Sequence, residues 1–153
     1  MAETRCGFVA LIGAPNVGKS TLLNALVGTK VTIVSHKVQT TRPRLRAIVV
    51  AGASQIIFVD TPGIFKPKRR LDEAMVEGAW AGASEADAVI LLCDVRRGLD
   101  ENALAIIEGL KKNGIKAFLA LNKIDLIKPE TLLDLARNFN EAFPFRETFM
   151  ISA

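Results

Sequence analysis

Three runs of this chain are apolar on both sides of an extended backbone: GFVALIG at 7–13, AVILLC at 88–93 and AFLAL at 117–121. A strand with one wet face alternates apolar and polar residues, and these runs do not. Each therefore needs cover above and below. Each is also followed by a stretch with helical spacing. KSTLLNALVG (19–28) carries Leu22, Leu23, Leu26 and Val27, and ENALAIIEGLKKNG (101–114) stops at Asn113–Gly114. PETLLDLARNFNEAF (129–143) begins with Pro129 at a helix start. Strand followed by helix, repeated, means a mostly parallel sheet with helices on both faces. RLRAIVVAG and SQIIFVD, joined by a tight turn near Ala51–Ser54, add an antiparallel pair at an edge. A helix over 71–84, with Met75, Ala79 and Trp80 on its apolar side, and a last strand, RETFMISA, complete a six-stranded α/β domain spanning 1–153. Segments 29–44 and 61–70 read as loops.

In such sheets ligands bind beyond the carboxyl ends of the strands. The first of these ends reads GAPNVGKS at 13–20, matching G-x-x-x-x-G-K-[ST] between a strand and a helix. Gly13 and Gly18 let successive N–H groups converge on phosphate oxygens. The positive end of the following helix points at the same place. Lys19 is expected to reach the terminal phosphates, and the Ser20 hydroxyl to ligate Mg²⁺. The stretch resembles the phosphate loop of P-loop NTPases, and that fold is expected. Asp60, at the end of the third strand, can hold Mg²⁺ through its water shell. Gly63, three residues on, can offer its N–H to the terminal phosphate. Alone, D-x-x-G is only a turn; some 40 residues after a phosphate loop it is a second part of one site.

NKID at 122–125 follows the fifth strand. Asp125 can accept two hydrogen bonds from guanine N1–H and the exocyclic amine. Asn122 would contact the other edge of the base and tie this loop to the phosphate cradle. The Lys123 stem would lie over the base. Adenine offers Asp125 neither donor and would leave a partly buried carboxylate unpaired, at a cost of about 1–3 kcal/mol. Ser152 and Ala153 would complete the pocket with backbone N–H groups toward the guanine carbonyl.

Composition narrows the setting. Half of the 153 residues are hydrophobic, enough for a core. The apolar runs are too short to span a bilayer, and MAETRCGFVALIG lacks the parts of a signal peptide. Cys6 and Cys93 sit in or beside apolar strands; a disulfide is one reading, and two buried free thiols in a reducing cytoplasm are the expected one. Nine of the 20 Lys and Arg lie between Lys30 and Arg70, where the only acid is Asp60. That segment is either a solvated basic face or a surface for phosphate or RNA backbone. It has Phe58 and Phe65 as its only aromatics, so interleaved stacking residues are missing. His36, the only histidine, reads as a surface residue; there is no Ser-His-Asp set and no zinc-type cluster.

GAPNVGKS, QTTR, DTPG, NKID and a terminal SA, in this order, resemble the five elements of a translation-factor-like GTPase domain. KVTIVSHKVQTTRPR and DTPGIFKPKRRLDEAM are similar, more narrowly, to the Era family of bacterial GTPases, and the resemblance covers essentially the whole chain. It implies Mg²⁺-dependent binding and slow hydrolysis of GTP to GDP as a molecular switch in small ribosomal subunit assembly. It implies a cytoplasmic monomer, with peripheral attachment to the inner membrane in the family and no DNA partner. Ribosomal RNA is expected as a partner of the full-length family protein through a KH domain. No GXXG loop in a KH-like setting occurs here, and the domain is expected to be cut before its last helix. The nucleotide would meet Gly13, Ala14, Pro15, Asn16, Val17, Gly18, Lys19, Ser20, Thr21, Asp60, Gly63, Asn122, Lys123, Asp125, Ser152 and Ala153.

Ile64 stands where many GTPases carry the glutamine that orients the attacking water. It can neither position water nor bear charge. Two candidates for the missing charge are visible. One is an arginine from the basic loop, Arg42, Arg44 or Arg46. The other is Asn16, which in relatives with a similar threonine loop helps hold K⁺ beside the phosphates; otherwise Asn16 is a turn former. A group supplied by a partner is the third route. Of Thr40 and Thr41, Thr41 better matches the family pattern for a Mg²⁺ ligand that orders the loop in the GTP state. Ser20, Thr41 and Asp60 thus form the expected metal set, and Lys19, Asn16, Thr41 and Gly63 the expected catalytic set. Other readings are a nucleotide-dependent binding module with little turnover, a related tandem-domain ribosome-assembly GTPase, and a P-loop kinase or ATPase, which NKID disfavours.

Overall fold

The computed structural model describes residues 5–14, 17–27, 44–60 and 70–152. The elements are β1 (Arg5–Ile12), α1 (Lys19–Val27), β2 (Arg44–Ala51), β3 (Ser54–Asp60), α2 (Arg70–Glu85), β4 (Ala88–Asp94), α3 (Glu101–Asn113), β5 (Phe118–Asn122), a 3₁₀ turn (Ile124–Leu126), α4 (Pro129–Ala142) and β6 (Thr148–Met150). They form one sheet in the order β2-β3-β1-β4-β5-β6. Only the edge pair β2–β3 is antiparallel; β1 pairs parallel with β3 and β4, and β5 with β4 and β6. The expected architecture is therefore the observed one. The 3₁₀ turn after β5 is an addition to it.

The uniformly apolar strands are covered as their composition requires. Ala10 and Ile12 of β1, Val89, Leu91 and Cys93 of β4, and Leu119 and Leu121 of β5 point one way. They meet Ala83 of α2, Ile106, Ile107 and Leu110 of α3, and Leu132 and Phe139 of α4. Leu11 and Phe58 point the other way, against Leu23 of α1. Trp80 of α2 lies across Gly109 of α3, leaving no room there for even a Cβ.

The helix ends follow local chemistry. Asp100 caps α3 by accepting from the Ala103 N–H at 2.9 Å, and Gly114 ends it at φ 63°. Pro129 opens α4 at its first turn, as expected, but Lys128 before it makes no side-chain cap.

One expectation is corrected. Cys93 is buried, whereas Cys6 is exposed; both thiols are free. The reason is register: β4 pairs with β1 only from Val9 onward, so Cys6 has a strand neighbour on the β3 side alone. No helix among the described residues is long and apolar enough to cross a membrane.

Candidate nucleotide site

Because β1, β3, β4, β5 and β6 run parallel, their carboxyl ends share one edge of the sheet. The loop after β1 is seated there by its apolar residues. Ala14 and Val17 are buried against Leu92 of β4 and Ala120 of β5, with Leu22 of α1 packed alongside. Gly13 is required by space. A Cβ at that position would lie 2.7 Å from the Leu92 carbonyl oxygen and 2.9 Å from Val17 Cγ2. Gly18 is required by conformation and by space. Its φ of +103° suits no L side chain, and a Cβ would strike the Asn122 amide. The Leu22 N–H donates to the Gly18 carbonyl at 2.9 Å, so the helix grows directly out of this turn. The Lys19 ammonium donates to the Gly13 carbonyl at 3.1 Å, which carries its charge back over the loop. Thr21 is exposed.

The segment after β5 is bonded to that loop. Asn122 is completely buried. Its Nδ2 donates to the Val17 carbonyl at 3.1 Å, across 105 residues of sequence. Its Oδ1 accepts from the Lys123 N–H at 2.8 Å. That bond turns the chain sharply enough to leave Lys123 left-handed, φ 67° and ψ 38°, the only described non-glycine residue with positive φ. Asp125 is exposed and accepts the Ser152 hydroxyl at 2.7 Å. The Ile151 N–H donates to Leu121 at 2.8 Å and the Ile151 carbonyl accepts from Ile124 at 3.3 Å, locking the end of β6 to the NKID turn.

A third group is present that sequence reasoning missed. Asp94 ends β4 with a side chain fully shielded from solvent. Arg96 and Lys123 both bond to it, each at 2.9 Å. Burial pushes its carboxyl pKa up, but the hydrogen bonds from Arg96 and then Lys123 outweigh burial and hold it well below the usual aspartate range. Cys93, beside it, is driven the opposite way: burial, with Asp100 and Asp94 nearby, pushes the thiol far above its ordinary value. The available signal was a charged residue at the end of an otherwise apolar strand; its partners could not be read from one sequence.

Of the expected site residues, the structure thus brings Gly13, Ala14, Val17, Gly18, Lys19, Asn122, Lys123, Asp125 and Ser152 to one edge. Ser152 makes a further contact that the sequence did not suggest: its hydroxyl bonds Asp125, which steadies the carboxylate. Asp60 ends β3 beside β1, in register with Arg44 of β2. Pro15, Asn16, Thr41, Gly63 and Ala153 lie outside the described residues, as do the side chains of Ser20 and Asp60. So does the basic stretch from Lys30 to Arg42. The residues that are described fit a nucleotide. The cradle has its glycines where a Cβ would intrude, and the base-side loop is hydrogen-bonded to it.

Comparison with known proteins agrees. A family model described as a 50S ribosome-binding GTPase matches residues 8–123. The GTPase Era of Bradyrhizobium sp. strain BTAi1 is 64% identical over 152 residues, which is 99% of this chain and 49% of that protein. A crystal structure of Era in complex with MgGDPNP and nucleotides 1506–1542 of 16S ribosomal RNA superposes with a TM-score of 0.79 at 39% identity, over 98% of this chain and 52% of that one. Era of Aquifex aeolicus, as a single-residue variant bound to GDP and AlF4⁻, superposes with a TM-score of 0.75 at 38% identity, over 96% and 51% of the two chains. The chain spans about half the length of the curated relatives it matches. A match over residues 8–123, on a sheet that carries the P-loop at its carboxyl edge, places the chain in the 50S ribosome-binding GTPase family, with the Era GTPases among its relatives.

Proposed function

We propose that this chain binds a guanine nucleotide with Mg²⁺ and slowly hydrolyses GTP to GDP and phosphate, as the switch of an Era-type factor in small ribosomal subunit assembly. The observation that carries the reading is the Asn122–Val17 bond. It ties the base-side loop to the phosphate cradle, so that the two are held together as parts of one site. Asp125, steadied by Ser152, would accept from the guanine N1–H and exocyclic amine, a pairing that adenine cannot make. Lys19, whose ammonium bonds the Gly13 carbonyl at 3.1 Å, would turn to meet the β- and γ-phosphates.

Ser20, Thr41 and Asp60 are the residues that would hold Mg²⁺, which when bound neutralises charge on the phosphates. In hydrolysis a water oxygen bonds to the terminal phosphorus and the bond to the bridging oxygen of GDP breaks. Ile64 cannot orient that water. Asn16 would help hold K⁺, whose charge would stand where an arginine stands in other GTPases. The test compares GTP turnover in K⁺ and Na⁺ buffers for wild type and Asn16→Ala. A rate at least about tenfold higher in K⁺, lost in the variant, is expected. Equal rates in all four conditions would remove the ion and leave Arg42, Arg44, Arg46 or a partner group to supply the charge.

The Era–16S complex supports ribosomal RNA as the partner of the full-length protein. A cytoplasmic setting follows from the same family reading.

A further inference from the structure

Asp94 takes no part in the contacts proposed above, yet it is the one buried charged residue among those described. Its Oδ1 accepts from the Arg96 N–H at 2.9 Å and from Arg96 Nε at 3.3 Å. Its Oδ2 accepts from Arg96 Nη2 and from Lys123 Nζ, both at 2.9 Å. A carboxylate offers about four acceptor sites, and all are used. Asp94 is therefore unsuited to act as a base or to receive a ligand; what it can do is hold its donors. Arg96 needs little holding, since its side chain is 54% exposed and lies two residues away. Lys123 is different. Its side chain is only 25% exposed, and its backbone sits in a left-handed turn between Asn122 and Asp125.

Lys123 is thereby fixed at both ends. Its N–H is bonded to Asn122 Oδ1 and its ammonium to Asp94, 29 residues earlier. The anchoring is tight because the strand ends are in register: Asp94 lies opposite Asn122, and the Val95 N–H donates to the Asn122 carbonyl at 3.1 Å. Held at both ends in this way, the four methylenes of Lys123 have few rotamers left to them. An ammonium released to water would let the stem wander over several rotamers.

We propose that Asp94, closed over by Arg96, is a positioning residue of the base site: it pins the Lys123 ammonium so that the lysine stem forms a rigid platform for the purine ring. The inference rests on the nucleotide reading given above. It concerns the base alone, since Asp94 bonds no described residue of the phosphate cradle.

The test is calorimetric titration of wild type, Asp94→Asn, Lys123→Ala and the double variant with GDP and, separately, with inorganic pyrophosphate, all in Mg²⁺. Loss of a charge-assisted bond of this kind should weaken GDP by about tenfold or more in Asp94→Asn. Pyrophosphate affinity should stay within about twofold, and Asp94→Asn should add nothing once Lys123 is alanine. Unchanged GDP affinity, equal loss for both ligands, or additive losses in the double variant would overturn the proposal. Arg96→Ala, at an exposed side chain, is the second probe should Asp94→Asn fail to fold. It should weaken GDP and spare pyrophosphate, and no change in GDP would count against the proposal. If wild type binds pyrophosphate but gains nothing from the guanosine, the base-site reading itself falls, and this inference with it.

Discussion

Asn122 shows how much one buried amide can decide. It has no exposure, donates to the Val17 carbonyl and accepts from the Lys123 N–H. Asn122→Ala would leave the Val17 carbonyl short of a donor and free the turn that carries Lys123 and Asp125. A loss of about 1–3 kcal/mol in urea unfolding is expected, together with loss of GDP binding. Asp94 gives a second, pH-dependent signature. Its folded pKa lies below that of an unfolded aspartate, about 3.9, so its charge favours the folded state above that value. As pH falls through about 4 the unfolded chain takes up the proton first, and the stabilisation drains away toward the folded pKa. Wild type should therefore exceed Asp94→Asn in stability at pH 5, and the gap should narrow by pH 3; a gap independent of pH would rule out the charged contacts. The glycines and Lys19 were legible in the sequence because their spacing is local. The Asp94–Lys123 pair was not, because it depends on the register between two strands.

Among the elements, strands and helices were legible wherever the periodicity was strong. The apolar runs became β1, β4 and β5, and the spacing at 101–114 became α3 with its stop at Gly114. What escaped was set by neighbours. The 3₁₀ turn at Ile124–Leu126 exists because the Ile124 N–H is tied to Ile151 of the last strand. Cys6 is exposed because β4 does not extend far enough to flank it. Helix ends offer a direct test. α3 has Asp100 as its cap, while α4 starts from Lys128, whose side chain makes no cap bond and whose charge opposes the helix dipole. Lys128→Asp should stabilise the chain by about 0.5–1 kcal/mol in chemical denaturation. An unchanged or lower midpoint would mean that Pro129 and packing alone fix this end.

At the scale of the whole molecule, a parallel sheet puts five strand ends on one edge and lets loops far apart in sequence build one site. The cradle follows β1, Asp94 ends β4, Asn122 ends β5 and Ser152 follows β6. The sequence motifs name the parts, and the strand order makes them adjacent. Whether these parts act together on a guanine nucleotide is tested most directly by calorimetric titration of the chain with GDP and with ADP in Mg²⁺. GDP should bind with one site per chain and at least about 10⁴-fold more tightly than ADP. No heat with GDP on folded protein, or equal affinity for the two nucleotides, would contradict the account.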